Sequence, residues 1–209
     1  MSLSQQAYDI LRKKIITREF EPGTVLSEQQ IAETLGMSRT PIREALVRLQ
    51  NDQLLKYVPQ KGVSVREMTV KDFVNVGALM RALQYFAVSE LVRLGEAFDT
   101  SEIEQLHEDQ KAHISDPWRC FELNIEMHMK IAALLGNDMI VQVARNTSDL
   151  IILAGYVSSR ANFPVALQEV FNEHETIVKA LKDRDLEAFS EALCKHDEGA
   201  LHRMIRLRM

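Results

Sequence analysis

Helix breakers are scarce in this chain, and their positions divide it into segments. Eight glycines and five prolines stand among 209 residues. That is too few for a loop-rich all-β protein and points to a mostly α fold. Glu21-Pro22-Gly23 closes a first helix over residues 8–17, with Ile10, Leu11, Ile15 and Ile16 as its apolar stripe. Ser27-Glu28-Gln29-Gln30 is a capping box, in which a serine hydroxyl takes the third amide and a glutamine reaches back. The short helix it opens is stopped by Gly36, since glycine enters the left-handed region without a steric penalty. Ser38 caps the next helix, and Pro41 sits in its first turn, where a missing amide proton costs little. That helix runs to about residue 51. Residues 54–58 and 62–65 flank Pro59-Gln60-Lys61 and read as a small hairpin.

Beyond about residue 68 the pattern is helical almost throughout, with helices expected over 70–94, 101–113, 117–135, 138–159, 164–181 and 185–207. The expected domains are therefore 1–67 and 68–209. Hydrophobic residues make up 46% of the chain, enough for a core and too many for a wholly disordered protein. The longest clean apolar run, residues 150–154, falls far short of the roughly 20 that span a bilayer. The polar opening residues resemble no secretory signal, and two cysteines make no disulfide framework. These features point to a cytoplasmic protein with reduced thiols and no membrane partner. The net charge of −5 is unevenly spread. Residues 1–66 hold ten basic and seven acidic groups, a balance of +3, which leaves −8 for the rest. A basic head suits a polyanion, and an acidic body suits something else.

The run Ser38-Arg39-Thr40-Pro41-Ile42-Arg43-Glu44-Ala45-Leu46 is the most informative in the head. At 100° per residue, Ile42, Ala45, Leu46 and Leu49 share an arc of about 100°, which is the core face. Arg39 and Arg43 stand one turn apart on the exposed side, with Thr40 beside them. Two guanidinium forks at the start of a helix match the paired acceptors of guanine in the major groove, and they also grip phosphates. Arg48 points about 140° away from Arg43 and belongs to another surface. A short helix, a glycine turn and an exposed arginine helix form a helix-turn-helix, and the hairpin after it would be a wing. Lys61-Gly62 at the wing tip suits a phosphate or minor-groove contact.

Pro22-Gly23, the Gly36-to-Leu46 run, Leu54-Leu55 and Gly62 resemble the winged helix-turn-helix domain of GntR-type transcriptional regulators, in order and at that family's spacing over about residues 5–67. The resemblance implies DNA contacts from Ser38, Arg39, Thr40, Arg43, Lys61 and Gly62. Gln29 stands where some members have a DNA-touching arginine.

Six histidines occupy the acidic body, at 107, 113, 128, 174, 196 and 202. Asn124 and His128 are four apart and share a helix face. His174 and His196 lie on consecutive helices about the turn at Lys182-Asp183-Arg184, at similar heights along the pair. Three imidazoles and one oxygen on facing helices suit a borderline transition metal. His107, His113 and His202 fall off the shared faces. The pattern Asn124 to His128, Gly136-Asn137, His174, Leu181 to Asp185 and His196 resembles the all-helical FCD domain of FadR-type regulators over about residues 70–205. The resemblance implies a divalent metal, zinc or nickel, on Asn124, His128, His174 and His196. Asn124 replaces the usual aspartate, and an amide oxygen brings no charge, so the metal is held more weakly or not at all. The resemblance also implies that Arg81 holds a small organic acid effector.

Together these readings describe a homodimeric regulator that binds a palindromic operator in double-stranded DNA and answers to a carboxylate ligand. The competing reading is a metal-dependent hydrolase built on the three histidines. Against it, His174-Glu175-Thr176-Ile177-Val178 lacks the second histidine of the His-Glu-x-x-His zinc pattern. The hydrolase also leaves the N-terminal third without a role.

Overall fold

A computed structural model describes residues 1–155 and 163–208. It divides into two compact units, Met1–Thr69 and Val70–Met209.

The first unit has helix α1 (Leu3–Ile16), strand β1 (Val25–Leu26), helices α2 (Glu28–Leu35) and α3 (Arg39–Asn51), and strands β2 (Leu55–Val58) and β3 (Gly62–Val65). Helix α1 begins five residues earlier than the sequence pattern indicates, because the Ser2 hydroxyl accepts the Gln5 amide at 3.1 Å. The buried face of α1 is Ala7, Leu11 and Ile15, spaced four apart, and Ile10 is exposed. Ser27 caps α2 through the Gln30 amide, and Gly36 at φ +62° ends it. Ile42, Ala45, Leu46 and Leu49 of α3 are all buried, as their arc requires. The three strands form one antiparallel sheet in the order β1-β3-β2. The two-residue strand β1 carries no periodicity and is invisible in the sequence. At the hairpin tip the Lys61 amide donates to Val58 O at 3.0 Å. Pro59 and Gln60, the latter at φ +62°, are its central pair, the pattern of a type II turn.

The second unit consists, among the described residues, of helices α4 (Val70–Leu94), α5 (Ser101–Ala112), α6 (Pro117–Ala133), α7 (Asp138–Gly155), α8 (Phe163–Asp183) and α9 (Leu186–Arg208). The expected end of the helix over 138–159 lies outside the described residues. A tight turn joins α8 to α9, with Arg184 at φ +54° and Asp185 accepting the Ala188 amide. The main core joins Val88 of α4, Ile103 of α5, Met127 of α6, Ile177 of α8 and Phe189 of α9. A smaller cluster holds Met80, Ala132 and Ala144. Fully buried side chains such as Phe189 each cost roughly 3–5 kcal/mol when cut to alanine, so this core fixes the helices that carry the histidines. Among the described residues no helix is long and apolar enough to cross a membrane.

Candidate functional site

In the first unit, the N-terminal turn of α3 is presented by packing beneath it. Arg39 and Arg43 are both exposed on the face opposite the buried arc. Each is held loosely by α2. Arg43 forks onto Glu28, with Nη2 to Oε2 at 2.9 Å and Nε to Oε1 at 3.1 Å, and Arg39 Nη2 donates to Gln29 Oε1 at 3.1 Å. The Arg43 guanidinium holds the Glu28 carboxyl below its usual range. An exposed ion pair of this kind is worth about 0.2–1 kcal/mol, so a phosphate or guanine edge can displace it. Ser38 occupies the N-cap position, yet its hydroxyl makes no capping bond among the described residues and faces solvent beside Arg39 and Thr40. Lys61 is exposed on the wing.

Gly62 has a different reason for being glycine. Its φ is +103°, and a Cβ there would come 2.8 Å from Leu26 O of β1. The missing side chain lets β3 close on β1. Arg48 is occupied elsewhere: its guanidinium stacks over the Tyr8 ring at 4.2 Å and donates to Gln5 Oε1 at 2.8 Å. Tyr8 in turn donates to Asp52 Oδ2 at 2.6 Å, tying α1 to the end of α3.

In the second unit, His128 of α6, His174 of α8 and His196 of α9 converge. Their ligating nitrogens all lie within 4.8 Å of one another, and His128 Nε2 is 3.2 Å from His196 Nε2. Each ring is aimed by a partner on its other nitrogen. His128 Nδ1 meets Gln84 Oε1 at 2.9 Å, His174 Nδ1 meets Gln110 Oε1 at 2.7 Å, and His196 Nδ1 meets Glu173 Oε2 at 2.9 Å. The amide orientations follow from their other ends, since Gln84 Nε2 donates to Met80 O and Gln110 Nε2 to Cys120 O. Both glutamines therefore offer oxygen to the rings, and His128 and His174 carry their protons on Nδ1. Their Nε2 lone pairs point at a common centre.

That centre is electron-rich and short of donors. His174 Nε2 is buried without a hydrogen-bond partner among the described residues, and so is Asn124 Oδ1, one turn before His128. Burial, reinforced by the neighbouring imidazoles, pushes His128 and His174 well below the usual imidazole range, so both are neutral at pH 7. Neutral imidazole is the form that ligates metal. Four-coordinate ligands about 2.0–2.1 Å from zinc lie roughly 3.3 Å apart. One pair of nitrogens already stands at that spacing, and modest closure brings in the third. The donor set and its unsatisfied atoms fit a zinc or nickel ion.

The family model for bacterial regulatory proteins of the gntR family matches residues 3–65, and the FCD domain model matches residues 76–199, more than half of the chain. The chain belongs to the GntR family, with a C-terminal FCD domain. It is 27% identical over 194 residues to the HTH-type transcriptional regulator YdhC of Bacillus subtilis, covering 91% of this chain and 86% of that one. It is 25% identical over 199 residues to the HTH-type transcriptional repressor RspR of Escherichia coli, covering 93% and 85%. The solved structure of McbR/YncC from E. coli shares the fold, at a TM-score of 0.82 and 21% identity over the full length of both chains. This GntR protein is thus a transcriptional regulator and not an enzyme, which sets aside the hydrolase reading.

The remaining sequence-derived residues fall as follows in the GntR structure. Arg81 of α4 pairs with Asp197 of α9 at 2.6 Å, beside His196. Burial pushes the Asp197 carboxyl up, while Arg81 pulls it back. His113 and His202 are exposed. His107 is buried, stacked flat on Phe171 with ring centres 4.2 Å apart, and it lies edge-on to His174. Sequence reasoning missed Gln84, Gln110, Glu173 and Arg203. Only Arg203 left a signal, since it stands seven residues after His196 and so on the same helix face.

Proposed function

We propose that this GntR regulator reads a palindromic operator as a homodimer and that a small organic acid in the FCD domain modulates the binding. Ser38, Arg39, Thr40 and Arg43 enter the major groove, and Lys61 with the Gly62 backbone follows the phosphates or the minor groove. The observation that carries this reading is the exposed turn of Arg39 and Arg43, tethered, among the described residues, by the displaceable side chains of Gln29 and Glu28. A single head with few phosphate contacts binds weakly and without preference, so two heads about 34 Å apart are needed. Leu79 and Phe86 on one face of α4, with Met139 and Val143 on α7, are large apolar side chains left exposed in the FCD unit. A second copy of the chain covers them in this account. RspR is named a repressor, and we extend repression to this chain.

A divalent metal, zinc or nickel, would be held by His128, His174 and His196, with Asn124 as the oxygen ligand. When bound, it offers a Lewis-acid position for a carboxylate oxygen. The protein's own contribution is to keep the imidazoles neutral and aimed. Arg81, released from Asp197, supplies a guanidinium for the effector's carboxylate. To regulate, the effector must bind two arrangements of the protein with different affinity.

Selection from a pool of random duplexes tests the central part. The expected product is an inverted repeat whose half-sites are centred about 10 base pairs apart. Recovery of unenriched sequence, bound with equal affinity, would remove the operator-reading role.

A further inference from the structure

We infer that Glu173, fixed by Arg203, supplies the histidine centre with the negative charge that Asn124 does not bring, acting through His196 rather than as a ligand. The inference rests on the metal reading above and concerns how that site is balanced. Asn124, His128, His174 and His196 are all neutral donors. A divalent ion among them would keep its full charge in a buried place, which is costly unless charge stands nearby.

The three histidines are not aimed alike. Two receive a neutral amide oxygen, from Gln84 and Gln110. Only His196 receives a carboxylate, Glu173 Oε2 at 2.9 Å. A carboxylate on the far nitrogen of a metal-binding imidazole fixes its tautomer and raises its basicity. Glu173 is also held back from the centre. Arg203 donates to both of its oxygens, Nη1 to Oε1 at 2.6 Å and Nη2 to Oε2 at 2.7 Å. Arg203 itself is nearly fully buried, and Glu169 Oε2 lies 3.7 Å from it. That guanidinium is thus shared between two carboxylates, and the one that faces His196 is Glu173.

A second feature shows that space was made for this pair. Gly199 lies inside α9, three residues after His196 and four before Arg203. A Cβ there would collide with Glu173 Oε1 and come 2.9 Å from Arg203 Nη1. Glycine inside a helix is unfavourable relative to alanine. Here the void it leaves is filled by the Glu173 carboxylate.

The test measures zinc affinity of the full chain by competition with a chromophoric chelator. Glu173→Gln keeps the shape and an acceptor for His196 but loses the charge, and it should weaken zinc binding roughly tenfold to a hundredfold. Adding Asn124→Asp to that variant places a charge directly on the metal and should restore wild-type affinity or better. Because Glu173→Gln leaves Arg203 buried without its partner, the pair Glu173→Gln/Arg203→Met serves as a second variant and should show the same loss. Unchanged zinc affinity in both variants overturns the inference. A loss that Asn124→Asp does not restore means that Glu173 only orients the ring, which also overturns it. A wild-type chain that takes up no zinc overturns the metal reading itself, and this inference with it.

Discussion

Gly62 is needed for the wing before it is needed for anything the wing touches. Its backbone sits at φ +103°, and an added Cβ would press on the Leu26 carbonyl, which belongs to the backbone and cannot swing aside. We predict that Gly62→Ala destabilises the N-terminal unit by about 1–3 kcal/mol, the usual cost of such strain, measurable by urea denaturation. A variant as stable as wild type would mean that the β1–β3 contact gives way easily. The same scale shows what a sequence discloses. Arg39 and Arg43 stand out because two guanidinium groups one helical turn apart are chemically distinctive, whereas His128, His174 and His196, on three helices, come forward as a set only with the resemblance to the FCD pattern. Gln84 and Gln110 do not, because a glutamine that aims a ring looks like any other glutamine until the ring is beside it. Glu173 is hidden for the opposite reason: acidic residues on helices are common, and its role depends on a guanidinium 30 positions away.

At the scale of elements, periodicity served well where one face was buried and the other wet. The arc of Ile42, Ala45, Leu46 and Leu49 placed α3 within a residue, and the 25 residues of α4 follow the expected bounds. Helix α1 shows the limit. The apolar pattern includes Ile10 and Ile16 in its stripe, but Ala7 is the residue that joins Leu11 and Ile15 against the core. Alanine is too small to signal burial by hydropathy alone. Strand β1 has two residues and pairs through Val25 with Ser64 and Leu26 with Val63. Its existence depends on the wing that returns to it, which is tertiary information. Arg48 also belongs here. Its angle on α3 excluded it from the groove-facing pair, but the ring of Tyr8 beneath it came only with the packing of α1 on α3.

On the scale of the whole molecule, the two units divide the work between a basic head and an acidic body, and the body's buried imidazoles set a pH limit on its stability. In the folded, metal-free protein His128 and His174 refuse protons that the unfolded chain accepts below about pH 6.5. The unfolded state then binds more protons, so unfolding free energy falls as pH drops below that value and is flat above it. The slope should reach up to about 1.4 kcal/mol per pH unit for each histidine. Urea denaturation with a chelator present, followed through the fluorescence of Trp118 in α6, measures it. Stability that is constant between pH 7 and 5.5 would show that these rings accept protons in place. In the head, we propose, the two arginines one turn apart on α3 read DNA. Fluorescence anisotropy of the selected inverted-repeat duplex, titrated with wild type and with Arg43→Ala, tests it most directly. Arg43→Ala should lose about 1–3 kcal/mol in affinity for that duplex, with relaxed preference at the base pair Arg43 reads. Equal affinity and equal preference in the two proteins would contradict it.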